Sequence, residues 1–455
     1  MNIIICGAGM VGFSISKQLQ AQGHSVTVID QSSEDIKKIN DTQDVKGIVG
    51  RATLPSVLES AGAKDTDMII AVTKNDEINM IVCQIASSLF NISKKIARIR
   101  SQEFLEGKWS KLYSKSNIPI DVIISPEREV AKSLFRKLEA PGALDNVPFV
   151  KDKVKLLEIL IEKKCPIANI PLNDLSKKYP EFKAYIFGAE RKENFVFFKK
   201  SDQMKVGDKV YLVVSTDQIN KLLSVFGHDE KVAKKILIIG GGNVSLHLAK
   251  LLETTDGLRT KIIEKNKIRA EQIAGELSSS IVICGDPLDE KILKEANIEE
   301  IETVFALTDD DEDNIMSCVL AEKYTPSKRT IAIINKHNYN ILQESLKIDD
   351  LVDPRMATVS TIMKHVHMGT IDTVYTLLDG QYEFLEAKIL ESSDLVNKSI
   401  KDSNLPDQVR IGAIVRKNKV MMPSSKFIFE KEDIVIVLSK RDQLKEVEDI
   451  FRITS

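Results

Sequence analysis

The stretch Ile3-Ile4-Ile5-Cys6-Gly7-Ala8-Gly9-Met10-Val11-Gly12, with Val26-Thr27-Val28-Ile29-Asp30 after it, decides how this chain is read. An apolar run leads into a glycine-rich turn. A helix-like segment, Phe13 to Gln22, returns the chain to a second apolar run that ends in an acid. This is the order a dinucleotide site needs. The first glycine permits a tight turn, the second lets backbone approach a pyrophosphate, and the third lets helix and strand pack closely. Phosphates then rest on a helix N-terminus, where unpaired N–H groups and the dipole favour anions. Asp30, 18 residues past Gly12, is placed to accept from ribose hydroxyls.

Outward from this stretch, apolar runs alternate with helical segments. Gly47 to Gly50, Met68 to Val72, Ile96 to Arg100 and Asp121 to Ile124 read as strands. Ser33 to Asp41, Pro55 to Gly62, Thr73 to about Phe90 and Pro126 to about Leu138 read as helices. Strands separated by helices of this length predict a doubly wound parallel sheet, the Rossmann-like form of the α/β class. Pro141-Gly142 closes the unit. Short strands follow at Leu156 to Ile161, Tyr185 to Ala189, Phe195 to Phe198 and Val210 to Val214, with a hairpin turn at Lys192-Glu193-Asn194 and one helix, Asp217 to Phe226. This is a small α+β module with no nucleophile beside a base and no glycine-rich loop.

The pattern then restarts. Lys235-Ile236-Leu237-Ile238-Ile239-Gly240-Gly241-Gly242-Asn243-Val244-Ser245 repeats the opening 233 positions later, and Ile262-Ile263-Glu264 repeats Val28-Ile29-Asp30. Further landmarks recur at Cys284-Gly285-Asp286, Phe305 to Thr308, Thr330 to Asn335, Leu351 to Pro354 and Leu385-Glu386. The chain is therefore a tandem duplication of a Rossmann-like domain followed by a small α+β domain. Breaks fall near Asp229 to Lys234 and near Asp379-Gly380, which sets domains at 1–140, 141–228, 234–372 and 373–455.

Composition agrees with an ordinary soluble protein. The 455 residues are 43% hydrophobic with a net charge of −2, so nothing global points to nucleic acid. No helix-turn-helix or basic recognition helix is present for a transcriptional role. No apolar run approaches the roughly 20 residues needed to span a bilayer. Met1 leads straight into an apolar strand, so no signal peptide is expected. The five cysteines lack metal-type spacing, three lie in apolar surroundings, and they imply a reducing compartment.

The first turn has a cationic rim of Arg51, Lys74, Arg98 and Arg100 near strand ends, where open α/β sheets bind ligands. Strand alternation puts Arg98 and Arg100 on one side, as a fork for phosphate oxygens or as an edge paired with acids such as Glu103. In the second copy Ser245 stands where Gly12 does, Asp286 where Arg51 does, Asp309 where Lys74 does, Ile333 where Arg98 does and Asn335 where Arg100 does. That pocket should take a two-phosphate dinucleotide better than a triphosphate. Asp309 to Asp313 read as capping residues, so no metal is expected. His365 and His367, two apart on a helix-like segment, face different ways. Val130, Leu134 and Leu138, with Val359, Ile362 and Val366, form apolar stripes for the core or for subunit pairing. An oxidoreductase is the alternative function. It needs an acid or base over a nicotinamide, and the small modules supply none.

Gly7 to Gly12, Ala71-Val72-Thr73-Lys74-Asn75-Asp76-Glu77 with Asn79-Met80, and Ala97-Arg98-Ile99-Arg100-Ser101 resemble the RCK (KTN) domains that regulate potassium channels and transporters. The duplicated order resembles the regulators of Trk potassium uptake, with RCK-N and RCK-C domains twice in one chain, over essentially the whole length. The resemblance implies a cytoplasmic, nucleotide-binding gating subunit and not an enzyme. It would form a homo-oligomeric ring, dimer or tetramer, held on the cytoplasmic side of the inner membrane by an integral-membrane potassium-conducting subunit of the TrkH or TrkG type. NAD(H) would fall on Gly7, Ala8, Gly9, Met10, Val11, Asp30, Thr73, Lys74 and Arg98, and on Gly240, Gly241, Gly242, Asn243, Val244, Glu264 and Thr308. ATP or ADP would compete at the first site. The chain departs from the family at Arg51, where many members have Asp, at Ser245, and at Glu432, which stands where Gly207 does.

Overall fold

The computed structural model describes residues 1–114, 116–180, 182–192, 194–229, 232–324, 329–366, 371–378 and 380–451. The chain divides into two compact units, one of residues 1–135 and 233–362, the other of 136–232 and 363–455. Each unit thus holds one kind of module from both halves of the duplication.

In the first unit, β1 (Asn2–Cys6), α1 (Met10–Ala21), β2 (Ser25–Asp30), α2 (Ser33–Thr42), β3 (Lys46–Val49), α3 (Pro55–Ser60), β4 (Met68–Ala71), α4 (Asp76–Phe90), β5 (Lys94–Arg98), β6 (Val122–Ile124) and α5 (Pro126–Glu139) succeed one another. The six strands are parallel in the order β3-β2-β1-β4-β5-β6. The chain order reverses between β1 and β4, the switch point at which such sheets bind ligands. Ile3, Ile4, Ile5 and Met68, Ile69, Ile70 are buried, as central parallel strands covered on both faces require. The second half repeats the sheet, outward on both sides from Lys235–Ile239.

The second unit holds two five-stranded sheets. One is ordered Asn194–Phe197, Ala184–Arg191, Lys209–Ser215, Val154–Leu160, Asp145–Phe149, and its counterpart runs from Ile371–Leu377 to Lys419–Met421. Phe187 and Phe384, ring centroids 4.9 Å apart, join the two in one apolar cluster. In the first small module the sequence reading missed two elements, the strand Asp145–Phe149 and the helix Leu172–Lys178. Asp145-Asn146 and Pro148 read as loop formers, but the strand lies at the sheet edge, where proline is tolerated. Glu432 adopts φ 71, the left-handed conformation that Gly207 holds at φ 91, and the next residues, Asp433 and Asp208, are both buried and paired with Arg416 and Arg191.

Val130, Leu134, Leu138, Val359, Ile362 and Val366 are all buried, so these stripes are core. Four cysteines are buried rather than three, and Cys284 is exposed. The helix after Pro354 ends at Lys364, so His365 lies beyond it. His367, Glu193 and Asp379, and residues 230 and 231 of one expected break, lie outside the described residues.

Candidate nucleotide site

The first glycine turn is dictated by sterics. Gly7 has φ +117, and a Cβ there would lie 2.9 Å from the Val72 carbonyl. A Cβ on Gly12 would fall 1.8 Å from the Gly7 carbonyl oxygen. A Cβ on Gly9 would meet nothing within 4 Å, so the turn is closed toward the sheet and open above Gly9. From Gly9 the chain enters α1 at Met10, three residues earlier than expected, with no capping side chain and no acid in the first turn. Met10, Val11 and Gly12 therefore present the helix's uncapped N-terminal amides, which suits an anion.

Asp30 braces this turn. Its Oδ2 accepts from Ala8 N at 2.6 Å and its Oδ1 from Ser32 N at 2.9 Å. In the second copy Gly240 has φ +93, and Glu264 accepts from Gly241 N and, at 2.6 Å, from Asn266 N. Glu264 is one methylene longer than Asp30, and a Cβ on Gly241 would lie 2.7 Å from its Oε2. Alanine at position 8 goes with aspartate, and glycine at 241 with glutamate. A Cβ on Gly242 would meet the Leu307 carbonyl oxygen at an unstrained 4.0 Å, whereas Ser245 is fully buried and its hydroxyl has no hydrogen-bond partner.

The sequence reading gave no role to Asn79, which is fully buried. Its Oδ1 accepts from Thr73 N at 2.9 Å and from Thr73 Oγ1 at 2.7 Å, and its Nδ2 donates to Thr73 O and Arg98 O. One amide thereby sets the ends of β4 and β5. Asn314 repeats every bond around Thr308 and Ile333. The visible signal was a polar residue at a core position of α4, the same in both copies. Asn79→Ala leaves those partners unsatisfied and should cost about 3 kcal/mol. Thermal melts of the variant check this.

The four rim cations differ in state. Arg51 and Lys74 are exposed. Arg98 ends β5 and its Nη2 donates to Thr73 O at 2.6 Å, while burial lowers the pKa of its guanidinium. Arg100 lies past the strand, so alternation does not align it with Arg98. Asp76 accepts from the Arg100 and Ser101 amides at 2.9 and 2.8 Å, and the guanidinium pairs with Glu127, not Glu103, at 2.8 Å. That hydrogen bond raises the pKa of Arg100.

The second rim is less acidic than its sequence. Asp286 is paired with Lys265 at 2.8 Å. Asp310 caps the amide of Asp313, and Asp311 accepts from the Asn335 and Lys336 amides. No group of ligands suited to a metal ion occurs among the described residues. Arg269, also missed, donates to Gly241 O at 2.7 Å and to Asn243 Oδ1 at 3.0 Å, which brings a cation to the second turn. The acids that stand in place of the first rim's cations are thereby offset at Asp286 by Lys265 and beside the turn by Arg269.

The TrkA-N domain model matches residues 3–126 and 236–354, and the TrkA-C domain model matches 156–227 and 384–452. The chain is 42% identical over 455 residues to the Trk system potassium uptake protein TrkA of Azorhizobium caulinodans, covering 100% of this chain and 99% of that protein. It is 34% identical to the protein of the same name from Vibrio alginolyticus, covering 99% of each. A solved structure of the GsuK channel bound to NAD aligns with a TM-score of 0.61 at 16% identity, over 99% of this chain and 79% of that one, and shares its fold. The duplicated TrkA-N and TrkA-C matches and the full-length likeness to both relatives place this chain in the family of Trk system potassium uptake protein TrkA.

Proposed function

We propose that the chain is the cytoplasmic, nucleotide-binding regulatory subunit of a Trk-type potassium uptake system. The observation that carries this reading is the duplicated glycine turn, closed to any Cβ at Gly7 and Gly12 and uncrowded at Gly9 and Gly242. NAD(H) would lie over Gly7, Ala8, Gly9, Met10 and Val11 with its ribose toward Asp30, and over Gly240 to Val244 toward Glu264. Thr73 and Thr308 sit at the facing strand ends. Arg51, Lys74, Arg98 and Arg100 give the first site the charge to accept ATP or ADP in place of the dinucleotide. That the GsuK channel was solved bound to NAD supports the ligand class. The domain bounds 1–140, 141–228, 234–372 and 373–455 then separate sensing modules from the small modules between them.

No described helix is long and apolar enough to cross a membrane. Contact with potassium flux would come through an integral-membrane partner of the TrkH or TrkG type, beneath which copies of this chain assemble. Ligand binding acts by shifting a conformational equilibrium, which requires unequal affinity for the two states. Co-purification with that partner, followed by potassium flux with and without NADH and ATP, tests the reading. Flux indifferent to both nucleotides overturns it. In this reading Arg100 exchanges Glu127 for a phosphate, and Arg100→Ala should weaken ATP about tenfold more than NADH. Equal losses in calorimetry would remove the phosphate role of this rim.

A further inference from the structure

The first small module carries a groove that its own core does not fill. The helix Leu172–Lys178 stops at Tyr179, and Pro180 follows, which cannot continue it. A turn closed by Phe182 N on Tyr179 O at 2.9 Å then carries the chain into the strand Ala184–Arg191. This turn and the helix Ile219–Phe226 line a cavity of about 400 Å3. Tyr179 and Phe182 belong to one wall. Lys221, Leu222 and Val225 share one face of the helix and form the other, and Val214, from the strand Lys209–Ser215, completes the lining.

The lining is two-sided in its chemistry. Val214 and Leu222 are buried, while Tyr179, Phe182 and Val225 are only half-buried and leave apolar surface to the cavity. Lys178, Lys183 and Lys221 also line it, and all three are exposed. Lys177 pairs with Asp174 at 3.2 Å, but among the described residues no carboxylate is ion-paired with any of these three amines. The nearby acids are occupied: Asp217 accepts from Ser215 and from Gln218, and Asp229 accepts from Ser224. The duplicated module shows that the fold does not demand such a lining. Asp442-Gln443 repeats Asp217-Gln218, an offset of 225, and at that offset Asp407 stands where Phe182 does, Ser439 where Val214 does, Gln408 where Lys183 does and Glu446 where Lys221 does. Apolar wall and cationic rim are present together in one module and absent together from the other.

We propose that this groove binds a small anion with an apolar body, of which a medium-chain acyl carboxylate is the simplest. Its chain would lie over Phe182, Val214, Leu222 and Val225, with the carboxylate among Lys178, Lys183 and Lys221. A mostly apolar concavity of this size with a few convergent polar groups is the usual form of a small-molecule site. Burial of the chain supplies the affinity, and three unpaired amines select a charged head over a neutral one. The groove shares no residue with either glycine turn, so the proposal does not depend on the nucleotide reading.

The test titrates the full chain calorimetrically with octanoate and with octanol, both as monomers in solution. Octanoate should saturate at one site per chain and bind about tenfold tighter than octanol. Replacing both rim cations, Lys183→Gln with Lys221→Gln, should weaken octanoate about tenfold and leave octanol unchanged. Phe182→Asp, which installs the residue of the second module, should weaken both ligands, and the double lysine change keeps the test decisive if that variant does not fold. No saturable octanoate binding by the wild type overturns the proposal. So do equal affinities for octanoate and octanol, or an octanoate affinity that the double lysine change leaves untouched. A groove covered by a second copy of this chain would appear as no octanoate binding together with altered sedimentation of the double variant, and that outcome also overturns it.

Discussion

Gly12→Ala is expected to abolish nucleotide binding at the first turn, by about 100-fold or more, and to cost about 3 kcal/mol of stability. The added methyl would lie 1.8 Å from the Gly7 carbonyl oxygen. That carbonyl cannot retreat freely, because Gly7 N is bonded to Ile29 O at 2.8 Å and a Cβ on Gly7 itself would already touch the Val72 backbone. Relief has to come from lifting α1 off β1, which moves the Met10 and Val11 amides away from any phosphate. The second copy gives the control. Ser245 already fills the equivalent place, and its buried hydroxyl is unpartnered. Ser245→Ala should therefore raise stability by about 1 kcal/mol. Calorimetric titration with NADH and thermal melts of both variants check the pair. Normal first-site binding by Gly12→Ala would mean that the turn is not the phosphate cradle.

The second large effect is on pH. In the second unit Glu158 sits directly across the ladder from Asp145 on one side and Tyr211 on the other. Burial and then Asp145 push its carboxyl up to about 7 from 4.5, with Glu190 adding and Lys209 and Tyr211 opposing. On its other side Asp145 accepts from Tyr375 Oη at 2.9 Å. A carboxyl raised on folding contributes stability that is complete below pH 4.5 and is lost as pH rises through about 7. The whole change is up to about 3 kcal/mol. Denaturant melts of the wild type at pH 5 and pH 8 should differ in that direction, and Glu158→Gln should flatten the difference by gaining at pH 8. At the same position of the second module Glu386 accepts from Val150 N at 2.6 Å. A wild type equally stable at both values would remove Glu158 as the titrating group.

How far the sequence could be read follows from the range of the interactions. Gly7 to Gly12, Asp30 and their copies at Gly240 to Glu264 were legible because one local turn imposes their identities and spacing. The parallel sheet was legible because Ile3-Ile4-Ile5 and Ile236-Leu237-Ile238 admit little but a strand buried on both faces. The partner of Arg100 was not, since Glu127 approaches it only when β5 and β6 are side by side. Asn79 was visible as a residue, but its bonds to Thr73 and Arg98 depend on the ends of two strands meeting over one helix. The approach of Arg355 to the Met10 sulfur was the least legible. The two lie 345 positions apart, and only the packing of the two halves brings them together.

The matched pairs Ala8 with Asp30 and Gly241 with Glu264 carry a consequence for how the two halves diverged. A methyl added at 241 collides with the longer acid, while an alanine beside the shorter acid is accommodated. The two positions are epistatic. Whichever pair came first, an uncrowded exchange between them passes through glycine with aspartate, because alanine with glutamate is the crowded combination. A chimaera that grafts one glycine turn onto the other half must move both members of a pair together.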